Sequence, residues 1–259
     1  MRSAANRSHP SPPARRAAPP AACVCPARAG RSGRLELFLG PMFAEKSTAM
    51  AGAVRRHAIA GRRCVIVKYA EDARYSADAE LVTHGGLRQT SQAGGTPGLP
   101  GRGAIRIVEA LSLGEVRLEP DETVVGVDEG QFYPDVVQAC DAWAEGGRRV
   151  YVAALDGTSD RKPFGSILAL VPAAEAVTKL SAVCTLCGDE GVAAAFTLRT
   201  SADEGEKVIG GADKYVAACR TCRREWLAAD GARRREWLAA VEATPPGGGP
   251  SLQAGPPPE

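Results

Sequence analysis

Three groups of residues in this 259-residue chain have the type and spacing to do chemistry. The first is Gly40-Pro41-Met42-Phe43-Ala44-Glu45-Lys46-Ser47-Thr48, which follows the apolar run Leu35, Leu37, Phe38 and Leu39 and precedes a helical run. A loop of the form G-x-x-x-x-G-K-[ST] points successive backbone N–H groups at a phosphate chain, with Lys on the β/γ-phosphates and Ser or Thr on Mg2+. Gly40, Lys46 and Ser47 fit that form, whereas Glu45 stands where the second Gly belongs, so an ordinary strand-to-helix turn stays open here. The second group is Asp128-Glu129, delivered at the end of the apolar run Thr123-Val124-Val125-Gly126-Val127. An Asp there can hold Mg2+ through water, and a Glu beside it can accept a proton from an attacking hydroxyl. The plain alternative is a polar strand end. The third group is Cys184-Thr185-Leu186-Cys187 with Cys219-Arg220-Thr221-Cys222, two CxxC knuckles that can set four thiolates about 2.3 Å from one Zn2+. Four protein ligands close the coordination sphere, which makes such a zinc structural; a redox pair or free thiols are the alternatives.

Elements must place these groups together. Leu35 to Gly40 reads as a strand, Ser47 to Arg63 as a helix stopped near Gly61, and Cys64 to Tyr69 as a buried β-branched strand. Strand, phosphate loop, helix and strand make a βαβ unit, hence a parallel sheet. Ligands bind at the carboxyl ends of such strands, so the acid pair is expected to face the same crevice as the loop. Ile105 to Leu113 reads as a short helix, Asp135 to Gly146 as another, and Arg148 to Leu155 as a strand. Ile167 to Val177 reads as a helix interrupted at Pro172, and Thr178 to Val183 as a fifth and last strand. The repeat Arg223-Arg224-Glu225-Trp226-Leu227-Ala228-Ala229 and Arg234-Arg235-Glu236-Trp237-Leu238-Ala239-Ala240 predicts one helix through Gly231 with both Trp on nearly one face, docked on the body or on another subunit.

Composition bounds the rest. A content of 44% hydrophobic and 24% charged residues at this length suits one α/β domain with a small appendage, and a net charge of +2 argues for neither a nucleic-acid binder nor a supercharged surface. Residues 1–34 hold seven Arg, six Pro and no acid. They are expected to form a disordered extension; the same composition fits an organelle transit peptide, against which the prolines argue. The Gly- and Pro-rich stretch 85–104 is expected to be a flexible insertion, and 245–259 a disordered tail. Cys64 and Cys140 are expected to be inert core thiols, and no apolar run is long enough to span a membrane. The expected organisation is a P-loop α/β domain over 35–183 with helices on both faces of its sheet, a zinc-binding lobe over 184–223 and a C-terminal helix over 224–244.

With these residues laid out, the chain from about Leu35 to Cys222 resembles the type II thymidine kinases. The resemblance rests on Gly40-Pro41-Met42-Phe43, Lys68-Tyr69 with Asp72 and Arg74-Tyr75-Ser76, and Asp128-Glu129-Gly130-Gln131-Phe132. It continues through Ala153 to Thr158, Arg161-Lys162-Pro163-Phe164-Gly165, the four Cys, and Val208-Ile209-Gly210-Gly211-Ala212-Asp213-Lys214-Tyr215. It implies a P-loop sheet fold and ATP-dependent phosphorylation of the thymidine 5′-hydroxyl, with Mg2+ and one structural Zn2+. By that resemblance Glu129 is the general base, and Lys46 and Arg74 compensate charge on the transferring group. Gly40 to Ser47 with Asp128 and Gln131 bind ATP and Mg2+. A lasso including Val208, Ile209, Gly210, Gly211 and Tyr215, with Thr197, holds thymine between walls of Met42, Phe132 and Leu155. The resemblance also implies a cytoplasmic homo-oligomer of two or four subunits.

Three departures accompany it. Glu45 replaces a Gly, Ser159 stands where the family has an aromatic residue, and Gly85-Gly86 follows Thr83-His84 where the family continues with Asp. Two further readings compete: a silent member that binds nucleoside or nucleotide as a regulatory or assembly subunit, and a nucleic-acid module built on the knuckles and basic arm.

Overall fold

The computed structural model describes residues 33–71, 80–82, 88–90, 103–187, 191–201 and 214–242, with the side chains of 80–82, 88–90 and 240–242 excepted. Twelve strands occur among them. They are β1 (Arg34–Gly40), β2 (Arg63–Tyr69), β3 (Glu80–Val82), β4 (Arg88–Thr90), β5 (Ile105–Ala110) and β6 (Glu122–Val127), then β7 (Arg149–Leu155), β8 (Ala176–Lys179), β9 (Ala182–Val183), β10 (Ala193–Ala194), β11 (Phe196–Arg199) and β12 (Tyr215–Ala218). Helices are α1 (Lys46–Ile59), α2 (Val136–Glu145), α3 (Arg220–Ala228) and α4 (Gly231–Glu242). Six strands form one sheet in the order β5-β2-β6-β7-β1-β8, every pair parallel.

Apolar spacing decides which face each helix covers. Met50, Ala51, Val54 and Ala58 fall on one face of α1 and pack on Cys64, Ile66, Val124 and Ala153. Gly126 lets this helix come close, since a Cβ there would meet Met50 Sδ at 2.6 Å. The opposite face of the sheet, Leu35, Val65, Val125 and Val150, is covered by Val136 and Cys140 of α2. Cys64 and Cys140 are both buried, and burial pushes Cys64 up to about 12 and raises Cys140 further, as inert core thiols require.

Several expectations are corrected. Ile105–Ala110 is a strand, because Ile105 and Ile107 alternate inward with Arg106 and Val108 at the edge of the sheet, and only Leu113–Glu115 makes a 3-10 turn. Ile167–Ala173 is a 3-10 helix with Pro172 inside its last turn, and because β5 joins the sheet, the sheet has six strands and not five. The expected strand 178–183 divides between β8 and β9. The expected helix 224–244 breaks at Ala229-Asp230, where Asp230 Oδ1 accepts the Arg233 N–H at 2.9 Å and opens α4. Within 85–104, Arg88–Thr90 pairs with Glu80–Val82; the rest of that stretch up to 102 lies outside the described residues, as do the arm 1–32 and the tail 243–259.

A buried acid ties the lower end of the sheet. Glu122 is 1% exposed and takes Arg106 Nε at 2.8 Å, Arg106 Nη2 at 2.7 Å and the Glu119 N–H at 2.8 Å. Burial works against its charge, yet the guanidinium and the N–H hold its carboxyl below the usual range. A lowered folded value means the contribution is present above the unfolded pKa of about 4.3 and is lost as pH falls through the folded one. Arg106 is 40% exposed, so solvent screens part of the pair. Glu122→Gln is expected to cost about 2 kcal/mol in urea unfolding at pH 7, and clearly less at pH 3.

Candidate active site

The loop after β1 owes its shape to left-handed backbone. Gly40 has φ +152°, and a Cβ there would meet Leu180 O at 2.5 Å. Phe43 and Glu45 sit at φ 63° and 57°, and Glu45 immediately precedes α1. This turns the loop's N–H groups and the start of α1 to one side, the arrangement that attracts anions. Non-glycine residues rarely hold such angles, at roughly 1–2 kcal/mol each. The Glu45 carboxylate is exposed and takes the Thr48 hydroxyl, one turn along α1.

Contacts from three directions brace the loop. Lys46 Nζ donates to Pro41 O at 2.7 Å, the Met42 N–H donates to Thr197 Oγ1 at 3.0 Å, and Ser47 Oγ donates to Asp128 Oδ1 at 2.6 Å. Asp128 is 5% exposed and continues β6, its N–H bonded to Val67 O at 2.9 Å. The structure therefore joins the loop, the acid pair and the small lobe at one end of the sheet. A hydroxyl and a carboxylate 2.6 Å apart are a hard-oxygen donor set that fits Mg2+.

Glu129 follows with φ 53°, another left-handed non-glycine. Gln131 Nε2 donates to Glu129 Oε2 at 2.5 Å, and Gln131 Oε1 accepts the Leu155 N–H at 2.9 Å. Gln131 thus spans from the acid pair to the end of β7. Beside it Phe132 packs against Tyr69 and Phe164, with ring centroids at 5.1 and 5.6 Å. Sequence reasoning left Phe164 out of the apolar wall, although it lies in the quoted Arg161-to-Gly165 motif. The Tyr133 phenol is buried among these rings, and burial, with Asp128 and Glu129 adding, pushes it far above its usual range.

Among the other expected site residues, Leu155 ends β7, Thr197 lies in β11 opposite Ala217, and Tyr215 is buried at the start of β12. Arg74, Val208, Ile209, Gly210 and Gly211 lie outside the described residues. On the β1–β8 side of the loop, a cavity of about 230 Å3 is lined by Pro41, Asp156, Thr158, Arg161, Phe196 and Thr197, among others. Lys179 pairs with Asp156 at 2.5 Å along its rim.

The four cysteines converge. Cys184, Cys187, Cys219 and Cys222 have sulfurs all within 4.8 Å of one another, and Cys187 Sγ is 3.4 Å from both Cys219 and Cys222. A tetrahedron with 2.3 Å metal–sulfur bonds has sulfurs about 3.8 Å apart, so the donor set fits zinc. Burial pushes Cys187 up to about 12, whereas the Cys222 N–H and neighbouring thiols outweigh burial and shift Cys219 down. The knuckle Cys219–Cys222 also opens α3, with the Cys222 N–H on Cys219 Sγ at 3.4 Å.

Comparison with known proteins agrees with this geometry. The family model described as thymidine kinase matches residues 33–223. The chain is 47% identical over 190 residues to the cytosolic thymidine kinase of Homo sapiens, covering 73% of each protein. It is 46% identical over 200 residues to that of Gallus gallus, covering 77% of this chain and 81% of the relative. A thymidine kinase of Variola virus is 42% identical over 192 residues, covering 73% and 96%. With the family model matching well over half of the chain, the protein belongs to the thymidine kinase family.

Proposed function

We propose that this chain transfers the γ-phosphoryl group of ATP to the 5′-hydroxyl of thymidine, giving thymidine monophosphate for deoxynucleoside salvage. The observation that carries the reading is the Ser47–Asp128 bond, which sets Glu129 beside the phosphate loop. In this mechanism the N–H groups of the loop and the start of α1 cradle the phosphates, and Lys46 releases Pro41 O to meet them. Mg2+, when bound, neutralises charge on the transferring group, and Ser47 with Asp128 would hold it. Glu129 accepts the proton of the 5′-hydroxyl. Gln131, expected to contact ATP and Mg2+, also fixes the orientation of Glu129 through its two bonds. Met42, Phe132 and Leu155 are the apolar walls of the thymine site, with Thr197, Tyr215 and the stretch Val208 to Gly211 around the base, and Arg74 is a second cation at the phosphate.

Zn2+ would be held by the four cysteines and would supply structure and no chemical step. Among the described residues no helix is long and apolar enough to cross a membrane. A cytosolic location is supported by the names of the human and chicken relatives. The homo-oligomer is supported by Leu168, Val171 and Val177, apolar and exposed beside the edge strand β8.

Purified protein given labelled thymidine and Mg-ATP is expected to form labelled thymidine monophosphate; absence of product at any ATP concentration would overturn the reading. A second reading, a silent nucleotide-binding member, draws on Glu45 in the left-handed region of a phosphate loop. Its carboxylate is exposed and engaged by Thr48, which keeps most of its charge in water. The effect on turnover is therefore a modest one. Glu45→Gly relieves about 1–2 kcal/mol of backbone strain that the loop already holds without ligand, and is expected to raise the unfolding free energy by about that amount; loss of the carboxylate beside the loop is expected to lower KM for ATP by about threefold. Turnover seen only in Glu45→Gly would favour the silent reading.

A further inference from the structure

We infer that α4 is the cover of the zinc lobe, and that Trp237 is a positioning residue that acts through Trp226 on the cysteine centre and the phosphate loop. The inference rests on the zinc reading of the four cysteines. The family model matches residues 33–223, so α4 lies wholly beyond the stretch that model matches.

The repeat explains how the cover is built. Cys222 and Trp226 are four residues apart on α3, hence on one face, and both are buried. Asp230 reverses the chain after α3, and Trp237 returns to stack on Trp226, with ring centroids 6.1 Å apart and planes within 7°. Each indole also carries a guanidinium: Arg234 lies over Trp226 at 5.7 Å and Arg233 over Trp237 at 5.5 Å. Arg234 further donates to Trp226 O at 2.9 Å and Leu227 O at 3.2 Å, satisfying carbonyls at the end of α3. The second copy of the repeat therefore clasps the first.

One apolar cluster links this clasp to the chemistry. Trp226 and Trp237 share it with Cys184, Cys219 and Cys222, and also with Ala44 of the phosphate loop, against which Phe43 packs. An apolar shell around a metal controls the access of water and competing ligands. A cover of this kind slows zinc exchange and holds Phe43 and Ala44 in the left-handed turn.

The test uses the full-length zinc-loaded protein and a chromogenic chelator in excess, reading the rate of zinc release. Trp237→Ala is expected to release zinc at least about tenfold faster than wild type, and Trp237→Phe within about threefold of it. Leu227→Ala, on α3 next to Trp226 but 54% exposed, should match wild type. In thymidine phosphorylation Trp237→Ala should raise KM for ATP with kcat little changed, a split that a general loss of folded protein would not produce. Should Trp237→Ala fail to fold, Arg234→Gln, which removes both bonds to the end of α3, should give an intermediate acceleration. Wild-type release rates in both variants would overturn the cover while leaving the zinc and kinase readings intact. A wild type that holds no zinc would overturn the cysteine reading and the cover with it.

Discussion

Glu129→Gln is expected to lower kcat for thymidine phosphorylation by about 10²- to 10⁴-fold while leaving KM for ATP near the wild-type value. The substitution keeps the shape of the side chain and an oxygen able to accept from Gln131 Nε2, so the left-handed turn at residue 129 retains its brace. What is lost is the negative charge to which the proposed mechanism gives the proton of the attacking hydroxyl. In the proposed mechanism ATP is held by the loop and by Ser47 with Asp128, which the change does not touch. Steady-state kinetics with both substrates, alongside a thermal melt to show an intact fold, provide the check. A fall of less than about tenfold would remove the proton-accepting role from Glu129.

Cys187→Ser is expected to reduce bound zinc from one per chain to none and to unfold the small lobe. Cys187 Sγ is the sulfur at 3.4 Å from two others, so its loss opens the centre of the set. Apparent binding energies of about 10–16 kcal/mol for structural zinc in small domains show how much folding such a site supports. The effect should reach the phosphate loop. Thr197 of β11 accepts the Met42 N–H, and Ala44 is buried in the same apolar cluster as the cysteines. Elemental analysis should find no zinc, and the stacked Trp226 and Trp237 should report the unfolding as a red shift of fluorescence. Full zinc content in the variant would remove Cys187 from the ligand set.

What could be read from the sequence was local. The loop from Gly40 to Thr48, Asp128-Glu129 after a buried strand, and the paired CxxC knuckles each declare themselves within a few residues, because the chemistry fixes their spacing. Their meeting at one end of the sheet followed from the alternation of strands and helices. The misread elements were those decided by tertiary contacts. Ile105–Ala110 mixes β-branched residues with Glu and Ala, and its place at the sheet edge made it a strand. Residues 224–244 carry helix-forming repeats throughout, and only the capping by Asp230 and the stacking of two indoles separate α3 from α4. The bridging role of Gln131 was hidden for the same reason, since its second partner, the Leu155 N–H, belongs to β7, well separated in sequence. Nor does sequence declare that Phe43, Glu45 and Glu129 adopt left-handed angles usually left to glycine.

The position of β1 has a consequence for how the chain is made. This first strand pairs with β7 and β8, and the Leu35 N–H donates to a carboxylate oxygen of Glu175, 140 residues away in sequence. Val150, opposite Leu35 in β7, follows it by about 115 residues, so at about 5–20 residues per second ribosomal synthesis leaves roughly 6–23 s before the first neighbouring strand emerges. During that interval Leu35, Leu37 and Leu39, which the finished protein buries, have none of their neighbouring strands. The phosphate loop therefore takes shape late in biosynthesis, and the nascent chain offers an unpaired apolar segment to chaperones until β7 and β8 arrive.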